Sequence, residues 1–303
     1  MAQIFRNVAL AGATGKVGSN ILQALVERNC FNVTILARQE SHAIPSGVIV
    51  KIVDFDSASS LVEALQGQDA VIDATSIPDP AVSIRLIDAA VAAGVARFIP
   101  SEFTADPNNA QARALPIFQG KAYVYGHLQK LSGDGKITWT AVSSGALLDC
   151  SLRTSFVNID LVNKKVDLMN DGSIVFPWTL LSSVGQAVAS ILMQPTKTKN
   201  RVCFVSNIQK SQKDMAELAK EALGHEGWQE GRLDMDEVLQ EAMSELQRGN
   251  FNFKVIGDII RYSISAPGYV SFPEKDDSEL LNIKTLDDAA IKQLIEEIAT
   301  EKN

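Results

Sequence analysis

Six short β-branched runs, each set apart from the next by a stretch of helical period, fill the first half of the chain and leave it few folds to adopt. The runs are VALAG (8–12), NVTILA (32–37), VIVKIVD (48–54), DAVIDAT (69–75), RFIPS (97–101) and ITWTAVS (137–143). Between them, helical patterns cover roughly 16–29, 57–66, 80–93 and 114–131. Antiparallel strands need only tight turns, whereas parallel strands need crossovers of about this length, so the alternation predicts an α/β fold. The expected architecture is a Rossmann-type doubly wound parallel sheet.

After Ser144 the pattern changes. KKVDLM and SIVF flank Asn170-Asp171-Gly172, and the Asp-Gly pair predicts a tight hairpin between them. A helix is expected at about 182–194, a strand at VCFVS (202–206), and amphipathic helices at about 211–223, 234–247 and 253–264. The last helix is expected to start at Thr285, with Asp288 three residues later in a capping-box position. This reading divides the chain into a nucleotide-binding domain over 1–150 and a smaller α+β, mainly substrate-binding region over 151–303. Segments at about 180–206 are candidates to return to the first domain.

The join between the first strand and the first helix reads LAGATGKVGSN, with Gly12, Gly15 and Gly18 spaced GxxGxxG. Glycine there permits a tight turn, close approach of backbone N–H groups to a pyrophosphate and close packing of helix on strand. The strand before and the helix after make this a dinucleotide site, with Thr14, Lys16 and Val17 as its other contacts. About twenty residues on, where an NAD-binding protein carries an acid for the ribose 2′-hydroxyl, this chain has Arg38. Arginine pairs with a 2′-phosphate, which favours NADP(H), and Lys16 adds a second positive contact, although Glu40 can serve as an acid of the NAD type. Asp54, Thr75 and Ser76 close the third and fourth strands, at the end of the sheet where a cofactor lies, or act there only as caps.

In PIFQGKAYVYGHLQKL (116–131), Ile117, Phe118, Val124, Tyr125 and Leu128 share one helical face, and Lys121 falls among them. An ammonium group on a buried stripe loses part of its hydration and gives up its proton more readily, as an acid/base catalyst must. The plainer alternatives are that the side chain reaches water or pairs with Glu102 or Asp106. Tyr125, one turn away, is placed either to hand Lys121 a proton or to fill the core.

Composition narrows the partners. The chain has 303 residues, 46% of them hydrophobic, and a formal net charge of −8, which opposes binding to nucleic acid or to an anionic membrane. Neither a leader pattern nor an apolar run of about 18 residues is present, so a cytoplasmic protein is expected. The three cysteines have no metal or disulfide spacing, and His42, His127 and His225 are scattered, so no metal is expected. A small-molecule substrate remains, with the chain a monomer or homodimer.

RFIPSEFTADPNN, IFQGKAYVYGHLQKL and ITWTAVSSGALLD together resemble the isoflavone reductase and phenylcoumaran benzylic ether reductase group, the NmrA-like atypical short-chain dehydrogenases. The likeness runs from residue 4 to about 195 and fades beyond. The family loop SEFG corresponds to Ser101-Glu102-Phe103-Thr104, so Thr104 is a departure, and the family's catalytic lysine falls on Lys121. The resemblance implies NADPH-dependent reduction with Lys121 beside the nicotinamide, bordered by Ser101, Glu102, Phe103, Ser143, Ser144 and Gly145. Leu147, Leu148, Phe156 and Trp178 are candidates to line a substrate pocket, and equally to be core. The YxxxK pair of ordinary short-chain dehydrogenases is missing from this helix. Two other readings stand beside the reductase: an NADP-binding redox sensor that regulates a protein partner, and a non-redox isomerase or cyclase.

Overall fold

The computed structural model describes residues 4–39, 44–75 and 79–301. Strands β1 (Asn7–Ala11), β2 (Asn32–Ala37), β3 (Ile49–Ile52), β4 (Ala70–Asp73), β5 (Arg97–Ile99) and β6 (Thr138–Ser143) come from the six predicted runs. They alternate with α1 (Lys16–Glu27), α2 (Ala58–Leu65), α3 (Pro80–Ala92), α4 (Ala110–Ala114) and α5 (Pro116–Gly133). The pattern predicted one helix over 114–131; the chain instead breaks at Leu115, because Pro116 has no N–H to continue α4 and is well suited to the first turn of α5.

The next elements are β7 (Ala146–Leu147), α6 (Leu148–Arg153), β8 (Ile159–Asp160), β9 (Lys165–Met169), β10 (Val175–Thr179), α7 (Leu181–Met193) and β11 (Arg201–Phe204). The chain ends with β12 (Ile208–Ser211), α8 (Gln212–Leu223), β13 (Gln229–Leu233), α9 (Met235–Gln247), α10 (Phe253–Ser265), α11 (Ser278–Leu281) and α12 (Asp288–Glu301).

The large sheet has seven parallel strands in the order β11-β6-β5-β4-β1-β2-β3. Because side chains alternate along each strand, Val8 and Leu10 face one helical layer while Ala9 and Ala11 face the other. The first layer holds α1 and α7, with Ile21, Leu25, Val188 and Ile191 fully buried. The second holds α2, α3 and α5, including Leu61, Leu86 and Leu128. Gly185 lets α7 cross α1 closely: a Cβ there would lie 2.3 Å from the Asn20 carbonyl oxygen. The strand order reverses between β1 and β4, which opens the crevice where such sheets bind ligands.

The predicted hairpin does not form. Asn170 and Gly172 do turn the chain with positive φ, but β9 and β10 then join different three-stranded sheets, β13-β9-β8 and β12-β10-β7. The Gln212 side chain takes the Met169 N–H at 2.7 Å and donates to the Val157 and Asp167 carbonyls, so the backbone a hairpin would use is already paired. The last helix also starts later than Thr285: Asp287 caps it, accepting from Ala290 N–H at 2.8 Å. Among the described residues no helix is long and apolar enough to cross a membrane, and no cluster of metal-ligating side chains is found.

Candidate functional site

The glycine loop lies at the reversal of strand order. Gly12 has φ +82, and a Cβ on it would sit 2.5 Å from the Ala74 carbonyl oxygen, so the loop can press against the end of β4 only with glycine there. A Cβ on Gly18 would lie 2.0 Å from the Gly12 carbonyl oxygen, which fixes α1 against the turn. Gly15 is under no such packing constraint, since its Cβ would meet only the Gly12 oxygen at 3.4 Å. It is instead the N-cap of α1 and supplies no side-chain acceptor for the first-turn N–H groups. An exposed, uncapped helix start beside a close-packed glycine turn fits a pyrophosphate.

Around this cradle, Thr14 and Lys16 are exposed and Val17 is half-buried. Lys16 Nζ lies 3.4 Å from the Cys150 thiol, so it must swing away to reach a phosphate. Arg38 is exposed at the end of β2, its guanidinium 5.7 Å from the centre of the Phe55 ring. Asp54 accepts from Asp56 N–H at 2.9 Å, the turn role that was its plainer reading. Thr75 donates both its N–H and its hydroxyl to Asp73. Ser76, Glu40 and His42 fall outside the described residues.

Lys121 donates from Nζ to the carbonyl oxygen of Ser101, whose own hydroxyl donates to the Thr75 carbonyl at 2.8 Å. One chain of hydrogen bonds thus links α5, the loop after β5 and the end of β4. Of the two carboxylates named above as partners for Lys121, Glu102 is held by Arg113 on α4 in an ion pair nearly sealed from water. Desolvation pulls the Lys121 pKa below its ordinary 10.5; Glu102 and Asp73 oppose the shift, while Arg113 adds to it. Tyr125 is buried with its ring edge-on to Trp139 and its hydroxyl 3.4 Å from Asn108 Oδ1. Burial, with Glu102 and Asp106 nearby, pushes its pKa up to about 12, which leaves it a neutral phenol.

A cavity opens beside the end of β6. Ser143, Gly145, Asp106, Pro177, Tyr269 and Phe272 are among the residues that line it. Gly145, at φ +61, allows β10 to pass close by: a Cβ would meet the Pro177 carbonyl oxygen at 2.3 Å. Ser144 N–H donates to the Thr104 carbonyl, while the Ser144 hydroxyl is buried without a partner among the described residues. Phe103 packs into the core.

The loop Ser101–Asn109 joins the lysine to the cavity. Ser101 accepts from Lys121, Ala105 and Asp106 line the wall, and the Asn109 side chain donates to Gly268 O, Tyr269 O and Ser271 Oγ at 2.8–3.2 Å. Asn109 also caps α4 by accepting from Ala112 N–H, so a single buried amide pins the C-terminal wall of the cavity to the lysine-bearing segment.

Of the four residues expected at a substrate pocket, Leu148 and Trp178 have no exposed surface and belong to the core. Trp178 stacks on Phe176 and donates Nε1–H to Lys210 O. Phe156 is half-buried under the Arg261 guanidinium, and Leu147 packs against the core of the large sheet. Asn109, Arg113, Tyr269 and Phe272 were not anticipated; one signal for the last two was the aromatic content of a loop following an amphipathic helix.

Comparison with known proteins agrees with this architecture. The oxidoreductase aprR of Aspergillus flavus is 33% identical over 290 residues, 90% of this chain and 97% of that protein. The solved structure of isoflavone reductase superposes with a TM-score of 0.79 at 19% identity, covering 98% of this chain and 99% of the other. The binary complex of leucoanthocyanidin reductase with NADPH from Vitis vinifera gives 0.78 at 18%, covering 97% and 99%. The NmrA-like family model matches residues 6–230, which take in the glycine loop, Lys121 and the β6 end of the cavity, and the chain belongs to that family.

Proposed function

We propose that the protein is an NADPH-dependent reductase that acts on a small, mostly apolar substrate, with Lys121 as the group that exchanges a proton with substrate oxygen. The observation that carries the reading is the desolvated Lys121, tethered to Ser101 at the carboxyl end of the sheet that bears the glycine cradle. The curated relative is named an oxidoreductase, and one of the structures sharing the fold is a complex with NADPH.

Bound NADPH would supply the hydride to an electrophilic carbon. The chain's own groups would do the rest: the cradle would hold the pyrophosphate, Arg38 would pair with the 2′-phosphate, and the Lys121 ammonium would deliver the accompanying proton to the oxygen that gains negative charge. In this reading the cofactor lies against residues 1–150, the substrate wall comes largely from the chain beyond them, and the protein works in the cytoplasm. Purified protein titrated by nicotinamide fluorescence should bind NADPH more tightly than NADH. Arg38→Ala should erase most of that preference, a loss of about 10-fold or more for one charge-assisted pair. Nicotinamide oxidation should then appear with one class among aryl enones, quinones and benzylic ethers. Tight binding with no oxidation across the panel would reject turnover.

The cavity also limits the substrate's charge. Among the described lining residues Asp106 is the one charged side chain, the rest being aromatic, aliphatic, serine, glycine or proline. A substrate carboxylate or phosphate lying against this wall, away from Lys121, would meet a carboxylate and no cation among the described lining residues, so a neutral or cationic group is expected there. Asp106→Asn should raise kcat/KM for a carboxylated analogue by roughly 10-fold relative to its uncharged parent. An unchanged ratio would remove Asp106 from substrate selection.

A further inference from the structure

We infer that the Glu102–Arg113 pair governs the charge of Lys121: by occupying the Glu102 carboxylate, Arg113 stops it from locking Lys121 in its ammonium form. Arg113 is then a positioning residue for a proton-transfer step it does not touch. The inference rests on the role proposed for Lys121.

The geometry is specific. Glu102 follows Ser101, the residue whose carbonyl accepts from Lys121, so its carboxylate belongs to the loop segment that anchors the ammonium and acts on it through its charge. The Glu102 side chain is 2% exposed and that of Arg113 is 12% exposed, so neither charge is screened by water. Arg113 gives Nη2 to Glu102 and Nε to the Pro107 carbonyl at 3.2 Å, while its Nη1 is buried without a partner among the described residues. Its position is fixed by α4, which ends one residue later at Ala114.

Asp73 on β4 is the other carboxylate acting on Lys121. It is taken up by the Thr75 N–H, the Thr75 hydroxyl and the Ser83 hydroxyl. Tyr125, on the same helix, stays neutral. Glu102 and Arg113 therefore act on Lys121 as a pair of opposite sign, and removing either should unbalance it.

A purely structural ion pair would behave differently. Loss of either partner from such a pair loosens the loop, admits water and moves Lys121 toward its ordinary value in both cases. A charge governor gives shifts of opposite sign. Arg113→Gln leaves a carboxylate beside the ammonium and should raise the Lys121 midpoint; Glu102→Gln leaves a guanidinium and should lower it.

The test is an NMR titration of full-length protein labelled with ¹³C at the lysine ε carbons, with the Lys121 signal assigned by its absence in Lys121→Arg. Arg113→Gln is expected to move the midpoint up by about one pH unit or more, Glu102→Gln to move it down, and the double variant to return near the parent. Upward shifts in both single variants, or no shift in either, would overturn the inference. If Arg113→Gln does not fold, the isosteric Glu102→Gln decides alone, because the two accounts give it opposite signs. No substrate or cofactor enters the measurement, so the governor can fail while the reductase stands, and the converse.

Discussion

Lys121→Ala is expected to lower turnover by at least about 10³-fold while leaving the NADPH dissociation constant within a factor of about three. The asymmetry follows from where the side chain is anchored. Nζ donates to a carbonyl in the loop after β5, whereas the cradle built by Gly12, Gly15 and Gly18 uses backbone on the far side of β4. A general acid contributes about 10²–10⁴-fold, and this variant also removes whatever water exclusion the four-carbon stem provides. The pH dependence adds a second check. Lys121 must be protonated to give a proton, so kcat should fall as pH rises through its pKa, and that limb should lie below the ordinary 10.5 because burial disfavours the ammonium. Stopped-flow nicotinamide absorbance across pH, on parent and variant, reads both. Turnover that survives in Lys121→Ala would remove the lysine from the chemistry.

The first half of the fold is legible because each local signal there has one global use. Short β-branched runs separated by helical period specify parallel strands with crossovers, and a glycine at position 18 is demanded by an approach of 2.0 Å that no side chain can tolerate. Lys121 stands out for a related reason, as a charge among Phe118, Val124, Tyr125 and Leu128. Its partners do not stand out. That Ser101 offers a carbonyl and Arg113 claims Glu102 depends on how α4 and α5 meet the loop, and sequence spacing is silent on that.

The failed hairpin teaches the same lesson from the other side. Asp171-Gly172 signals a turn and a turn occurs, but β9 pairs with β8 before it and with β13, some sixty residues on, rather than with β10. Gly231 lets β9 and β13 close up, since a Cβ there would lie 2.2 Å from Asp167 Oδ1. Turn chemistry is local, while strand pairing is decided by which edge is left free. The family likeness, expected to fade near residue 195, in fact carries on to residue 230 in the family match, and the isoflavone reductase superposition covers 98% of the chain. Packing positions in the C-terminal half tolerate exchange among apolar residues of similar volume, so the fold outlasts the residues that would identify it.

Arg97→Ala should destabilise the protein by about 3–5 kcal/mol, and Arg97→Met by less than half of that. Arg97 is 1% exposed at the start of β5, and its hydrogen bonds go to neutral oxygens: Thr138 Oγ1 at 2.8 Å, Thr140 Oγ1 at 2.6 Å and Pro195 O at 2.8 Å, with Thr198 further off. The guanidinium also stands 5.3 Å from the centre of the Phe5 ring. Desolvation lowers its pKa to about 10, so it stays charged at neutral pH and bears the cost of burial.

That cost is what methionine escapes. The threonine hydroxyls around Arg97 already donate elsewhere, Thr138 to Ala96 O, Thr140 to Thr198 O and Thr198 to Gln194 O, so losing the guanidinium orphans few groups. A thioether of similar reach keeps most of the packing, whereas alanine leaves a cavity between β5, β6 and the turn that returns the chain to β11. Denaturant unfolding of the two variants separates the contributions: alanine measures volume plus charge, and methionine measures chiefly charge. Because this end of β5 is opposite the one that carries Ser101, NADPH affinity at a temperature where both variants are folded should match the parent. Equal losses in the two variants would mean that the hydrogen bonds of Arg97, rather than its bulk, hold β11 against the sheet.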